Sequence, residues 1–247
     1  MKPKLNRVAR RLAVGLSVSP FRTASLALHA TGLDHIYKPH FTRHAAFVDV
    51  DDALAAKLPK YDSSLTGGKI DPMNLIFVGQ KEAVKAAFKA AGWHGADPSS
   101  PFHLIFAGLT VAFGKGYSHG ALTPHFVNIG TQDMSFQQLT KKNSFSQRHH
   151  LRVWRTGITL SDDKPVWIAA ATYDTNLKIQ FRPPFINHRI EANIDKERDY
   201  VVRSLLGVGA VRIKSVVMTE KVPRTDKKTH AHGNDYYTDG HAAVVEV

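Results

Sequence analysis

The 247-residue chain contains no cysteine, which excludes disulfides, thiolate metal sites and cysteine nucleophiles together. Long apolar runs are missing as well: the longest, Leu104 to Gly114, falls well short of the ~20 residues a helix needs to cross a bilayer. There is no Gly-x-Ser-x-Gly elbow, no phosphate-binding P-loop and no Gly-x-Gly-x-x-Gly turn after a strand, so the sequence makes no case for a serine hydrolase, an NTPase or a dinucleotide enzyme. Acidic residues are absent from one end. None precedes Asp34, whereas Lys2, Lys4, Arg7, Arg10, Arg11 and Arg22 do, and these six cations are half of the net charge of +12. Residues 1–33 therefore read as a basic tail, and residues 34–247 as the domain. The tail's apolar stretch, Leu12 to Val18, is short and is followed by Pro20 and Arg22, a poor match to a cleavable leader and a better one to an arm that lies on a charged surface.

What is present suits a packed core. Hydrophobic residues make up 43% and charged residues 22%, close to the globular average, which sets aside disorder throughout, collagen and coiled coil. Asn74 to Gly79 is an apolar run of strand length, and the segment after it places Val84, Ala87, Phe88 and Ala91 on one helical stripe with Gly92 as the stop. Residues 94–147, rich in Gly, Ser, Pro and His, read as an insertion with one buried helix around Phe102 to Phe113. Beyond them His149 to Arg155 alternates, and Pro165 to Asp174 is a second apolar strand after a turn-like Ser-Asp-Asp-Lys, which predicts a β-hairpin. A second helix is expected from Asp195, as N-cap, to Gly207, with Val201, Val202, Leu205 and Leu206 inward. A half-exposed strand (Val211 to Val217), a polar loop (Thr219 to Tyr237) and a last strand ending at Val247 complete the chain. This order predicts an α+β fold of ferredoxin-like type, an antiparallel sheet with two main helices on one face and an inserted segment.

The densest chemistry lies in Ser-Gln-Arg-His-His-Leu-Arg-Val-Trp-Arg. On a strand, His150, Arg152 and Trp154 share one face and His149 the other, so the adjacent histidines do not ligate one ion. The first reading is an anion receptor built from His150, Arg152 and Trp154, joined by Gln132 and His188, for an anionic lipid head group or a phosphorylated ligand and with no cofactor. The alternative reading is a metal-dependent phosphoester hydrolase that gathers Asp133, His150, Asp174 and His188 around a divalent cation. Nucleic acid ranks last as a partner, because the basic residues are not interleaved with aromatics as in an RNA-recognition strand. Arg212, Lys214, Lys221, Arg224, Lys227 and Lys228 suit an anionic lipid surface equally well.

Six ordered segments carry a resemblance: Asp-Pro-Met-Asn-Leu-Ile-Phe-Val-Gly from Asp71, Gln-Asp-Met-Ser-Phe-Gln from Gln132, the strand from Arg148, Val166 to Asp174, the stretch from Ile186 to Val202, and Thr238-Asp239-Gly240. Together they resemble the LssY C-terminal domain family. In the family's paired-histidine segment His188 matches the first position, while Arg189 stands at the second and Glu191 at the following acid. Such bacterial domains often follow membrane segments of the DedA or phosphatidic-acid-phosphatase type. The resemblance thus implies a place peripheral to the membrane or cell envelope and a membrane protein as a partner, and it names a family rather than a reaction.

Overall fold

The computed structural model describes residues 19–31, 43–44, 47–96, 122–128, 130–140, 147–181 and 184–247. In chain order the elements are α1 (Pro20–Ala30), β1 (Arg43–His44), α2 (Asp52–Lys57), β2 (Tyr61–Ser63), β3 (Lys69–Pro72), β4 (Leu75–Val78), α3 (Lys81–Ala90), β5 (His94–Gly95), β6 (Phe126–Val127), β7 (Gly130–Thr131) and β8 (Met134–Leu139). They continue with β9 (Arg148–Thr159), β10 (Pro165–Phe181), β11 (Pro184–Ile190), α4 (Ile194–Leu206), β12 (Val211–Val217), β13 (Lys228–Thr229), β14 (Asp235–Tyr236) and β15 (His241–Glu246). The main sheet runs β12-β15-β4-β10-β9-β8-β5, with β11 also on β10 and β1 on β9; β3-β2-β6-β7 form a second sheet.

Most strand pairs are antiparallel and the class is α+β, but the strand order departs from the ferredoxin-like plan at one edge. That plan sets β12 directly beside β4. Here β15 intervenes, parallel to β4 with Val244 opposite Ile76, and β12 becomes the outermost strand. The reason is composition. Ala242, Ala243, Val244 and Val245 are all fully buried, so β15 needs cover on both faces and a neighbour on both edges. β12 carries Arg212 and Lys214 and tolerates an edge, where it exposes Val211 and Ile213.

The sheet has a core on each face. On one, Leu75, Phe77, Leu151 and Ala169 pack against Val84 and Phe88 of α3 and Val201, Val202 and Leu205 of α4. On the other, Ile76, Val78, Trp154 and Ile168 pack against Leu54 and Ala55 of α2. Leu206, expected inside, is exposed. The N-cap of α4 is Asn193, whose side chain accepts from the Asp195 backbone N–H, and not Asp195 itself. Asp195 is used elsewhere: its carboxylate accepts from Thr238 Oγ1 at 2.7 Å and from the Asp239 backbone N–H at 2.8 Å.

Two other expectations meet the structure differently, and a third falls outside the described residues. The segment expected as a tail contains α1, and Arg22 fastens it to the second sheet through Asn128 O (3.0 Å) and Ser64 O (2.6 Å). The expected buried helix at Phe102 to Phe113 lies outside the described residues. The region from Thr219 to Tyr237, read as a loop, contains the β13–β14 ladder and buries His230 and Asn234. A polar composition concealed this order because those two side chains are buried among other polar groups.

Candidate functional site

The site is assembled where the second sheet meets the main one. β3 ends at Asp71-Pro72, and proline holds the residue before it extended. Asp71 therefore stays on the second sheet, while Asn74, three residues on, enters the main sheet and bonds to Ala171. Across the second sheet Asp62 stands on β2, and His125 immediately precedes β6.

These three side chains converge. Asp62 Oδ2 lies 2.8 Å from His125 Nδ1, Asp71 Oδ2 lies 3.7 Å from the same nitrogen, and Asp62 Oδ1 accepts from the Asp71 backbone N–H at 2.9 Å. One ligand-type atom from each of Asp62, Asp71 and His125 falls within 4.8 Å of the others, and all three residues are at most 4% exposed. Arg152 reaches in from β9, its Nη1 3.8 Å from Asp71 Oδ2 and its Nε donating to Thr123 O at 3.0 Å. Gln132 accepts from the His125 backbone N–H at 3.2 Å. The turn from β13 to β14 covers the cluster, with the His232 ring 5.6 Å from that of His125.

Burial dominates the electrostatics. It pushes the Asp62 carboxyl up to about 7 against the pull of Arg152, and it raises Asp71, which the neighbouring Asp62 raises further. His125 is driven well below its ordinary value by burial and then by Arg152. His232 falls to about 4, by burial and then by His125. Two carboxylates and an imidazole that all resist charge in isolation form a donor set that a divalent cation would satisfy.

A second cluster adjoins the first on the same sheet face. Asp174 on β10 is buried and its Oδ2 is approached by Arg148 Nε (3.0 Å), His188 Nδ1 (3.2 Å) and His150 Nδ1 (3.4 Å). Thr172 pairs with His150 Nε2 at 3.0 Å. Burial, then the cations Arg152 and Arg148, hold His150 well below its ordinary value, and burial lowers His188.

The expected anion residues are therefore divided. His150, Arg152 and Trp154 do share one strand face, but all three are buried, and Trp154 lies in the apolar core rather than along an open wall. Arg152 and Gln132 belong to the Asp62–Asp71–His125 cluster, His150 and His188 to the Asp174 cluster. Of the expected metal ligands, Asp174, His150 and His188 meet, but Arg148 occupies the same carboxylate oxygen. Asp133 is apart: its Oδ2 accepts from the Arg155 backbone N–H, and it lines a cavity with Lys85, Lys89 and Trp93. Sequence reasoning missed Asp62 and His125, which stand 63 positions apart and carry no spacing signal. Asp71 was legible only as the first residue of the Asp-Pro segment that carries the family resemblance.

A two-faced α+β domain with a buried carboxylate–imidazole centre is what fold and site define. Residues 55–242 match the family described as LssY C-terminus, and the chain belongs to that family. No curated protein and no solved structure matches it. Among the described residues no helix is long and apolar enough to cross a membrane.

Proposed function

We propose that this protein binds a divalent metal ion through Asp62, Asp71 and His125 and holds an anionic, phosphate-type group beside it with Arg152. The observation that carries this reading is the convergence of three buried ligand atoms within 4.8 Å, next to a buried guanidinium. Mixed carboxylate and imidazole donors suit a transition metal such as Mn²⁺ or Zn²⁺. A metal there would supply Lewis acidity, and phosphoester hydrolysis is the reaction that such a pairing supports. In this reading Asp62 and Asp71 neutralise the cation, His125 donates its ring nitrogen, and Arg152 offers planar N–H donors to phosphate oxygens.

The test is calorimetric titration of metal-free protein with Mn²⁺ and Zn²⁺. One ion per chain is expected for the wild type, with at least tenfold weaker binding for Asp71→Asn while the far-ultraviolet spectrum is unchanged. No binding by the wild type, or full binding by Asp71→Asn, overturns the proposal. Peripheral attachment to an anionic envelope surface belongs to the same proposal, supported by the exposed Arg212, Lys221 and Arg224. Sedimentation with acidic but not with neutral vesicles is expected, weakening as salt rises; equal partitioning to both counts against it.

A further inference from the structure

The opposite face of β9 carries a different arrangement. His149 points away from His150, into the face covered by α4, and its Nδ1 lies 2.8 Å from Oε2 and 3.1 Å from Oε1 of Glu197. Glu197 is 3% exposed. The imidazole stacks on Tyr200 with ring centres 3.8 Å apart and planes 7° apart, and Tyr173 stands 4.6 Å away on a tilted plane. Tyr200 is in turn fixed by its hydroxyl, which donates to Gln138 Oε1 at 2.6 Å. With Nδ1–H given to the carboxylate, the lone pair is left on Nε2, which makes no hydrogen bond among the described residues. Orientation, tautomer and plane of one imidazole are thus all set by neighbours that are themselves held.

This ring lines a cavity of about 350 Å³ together with Tyr173, Glu191, Asp199 and Arg203. The charges in its wall are not equal in status. Glu191 is paired with Lys196 at 3.3 Å and Asp199 with Arg198 at 3.0 Å, while Glu197 accepts a hydrogen bond from His149 Nδ1 at 2.8 Å. Arg203 is the lining charge with no ion pair among the described residues. The cavity therefore offers a guanidinium that makes no ion pair among the described residues and an oriented imidazole lone pair.

We propose that this cavity is a second ligand site, independent of the metal-type cluster on the other face, and that it takes a small oxyanion that also carries a hydroxyl. Arg203 receives the negative oxygen atoms, and His149 Nε2 accepts the hydroxyl proton in a hydrogen bond. Because the base is preset by Glu197, the same geometry distinguishes a hydroxylated anion from its deoxy counterpart. A site built to bond a hydroxyl rejects the analogue that lacks it.

The experiment is nuclear magnetic resonance of the imidazole side chains of the full-length protein during titration with glycolate, acetate and inorganic phosphate. Expected is a saturable shift of His149 with glycolate and with phosphate, at least several-fold weaker with acetate. Losing one charge-assisted contact in Arg203→Gln is expected to weaken glycolate binding about tenfold. The thermal unfolding midpoint of Arg203→Gln reports on folding, and it should match that of the wild type. No shift of His149 with glycolate, equal affinity for glycolate and acetate, or unchanged binding by Arg203→Gln overturns the proposal. So does binding that survives Arg203→Gln but is lost in Asp71→Asn, since the anion would then occupy the opposite face.

Discussion

Asn74 clasps the backbone of Ala171 at both ends: its Nδ2 donates to Ala171 O at 2.9 Å, and its Oδ1 accepts from Ala171 N at 2.9 Å. The side chain acts as one more strand position on β10, at the place where the chain passes from the second sheet into the main one. Its own carbonyl accepts from Ala243 N at 3.1 Å, so one buried residue joins β4, β10 and β15. Asp71 is three residues away, and the position of the carboxylate cluster relative to Arg152 depends on this clasp.

Asn74→Ala is therefore expected to destabilise the protein by about 2–6 kcal/mol, because it strands one donor and one acceptor of Ala171 away from water, each at about 1–3 kcal/mol. Chemical denaturation checks it. The transition midpoint should fall, and the metal affinity proposed above should fall with it.

Gly240 sits at φ +85°, and a Cβ there would lie 2.7 Å from the carbonyl oxygen of Thr219. Both the conformation and the space require glycine. Gly240→Ala is expected to cost about 1–3 kcal/mol in backbone strain alone, read as a lower melting temperature. The flanking Asp239 stays tied to Arg198 Nη1 at 2.8 Å, so the loss should be local to the approach into β15.

Two buried tryptophans make a contrasting pair. Trp167 Nε1 donates to Gly79 O at 2.9 Å, whereas Trp154 Nε1 has no hydrogen-bond partner among the described residues. Exchange to Phe removes the same volume at each, but at Trp167 it also leaves a carbonyl unpaired. Trp167→Phe should cost about 1–2 kcal/mol more than Trp154→Phe. Parallel urea denaturation of the two variants measures the difference, and equal losses would mean that Trp154 Nε1 has a partner.

Acid should destabilise the protein below the ordinary imidazole value of 6.5, since His125, His150, His188 and His232 are held below it in the fold and charge on unfolding. The unfolded chain then binds more protons, so stability falls as pH falls. Asp62 opposes this. Its folded value, about 7, lies above the unfolded 3.8, so its contribution is complete below 3.8 and is lost as pH rises toward 7. Removing that opposing slope in Asp62→Asn should make the melting temperature drop more steeply on acidification from pH 7 to 5 than in the wild type. A shallower drop would contradict the assignment.

The elements that announced themselves are those with one strong period. The α3 stripe, in which Val84 and Phe88 are fully buried, and the β9–β10 hairpin, in which Thr172 faces His150, both stand close to where the pattern put them. The helix from Ile194 to Leu206 was also legible, but its cap was not: Asn193 and Asp195 are both good cap types, and the choice went to Asn193 because Thr238 and Asp239 claim the Asp195 carboxylate. The parallel insertion of β15 was invisible. Strand neighbours are chosen by which apolar faces need cover, and that is a property of the whole sheet.

By itself the sequence determined the α+β class, the absence of thiol chemistry, the opposite directions of His149 and His150, and the motifs of the LssY C-terminus family, because each follows from composition or from the two-residue period of a strand. Only the tertiary structure decided which carboxylates meet an imidazole. Asp62, Asp71 and His125 are brought together by two sheets that share no local pattern, and their chemistry arises from common burial, which no position along the chain can register alone.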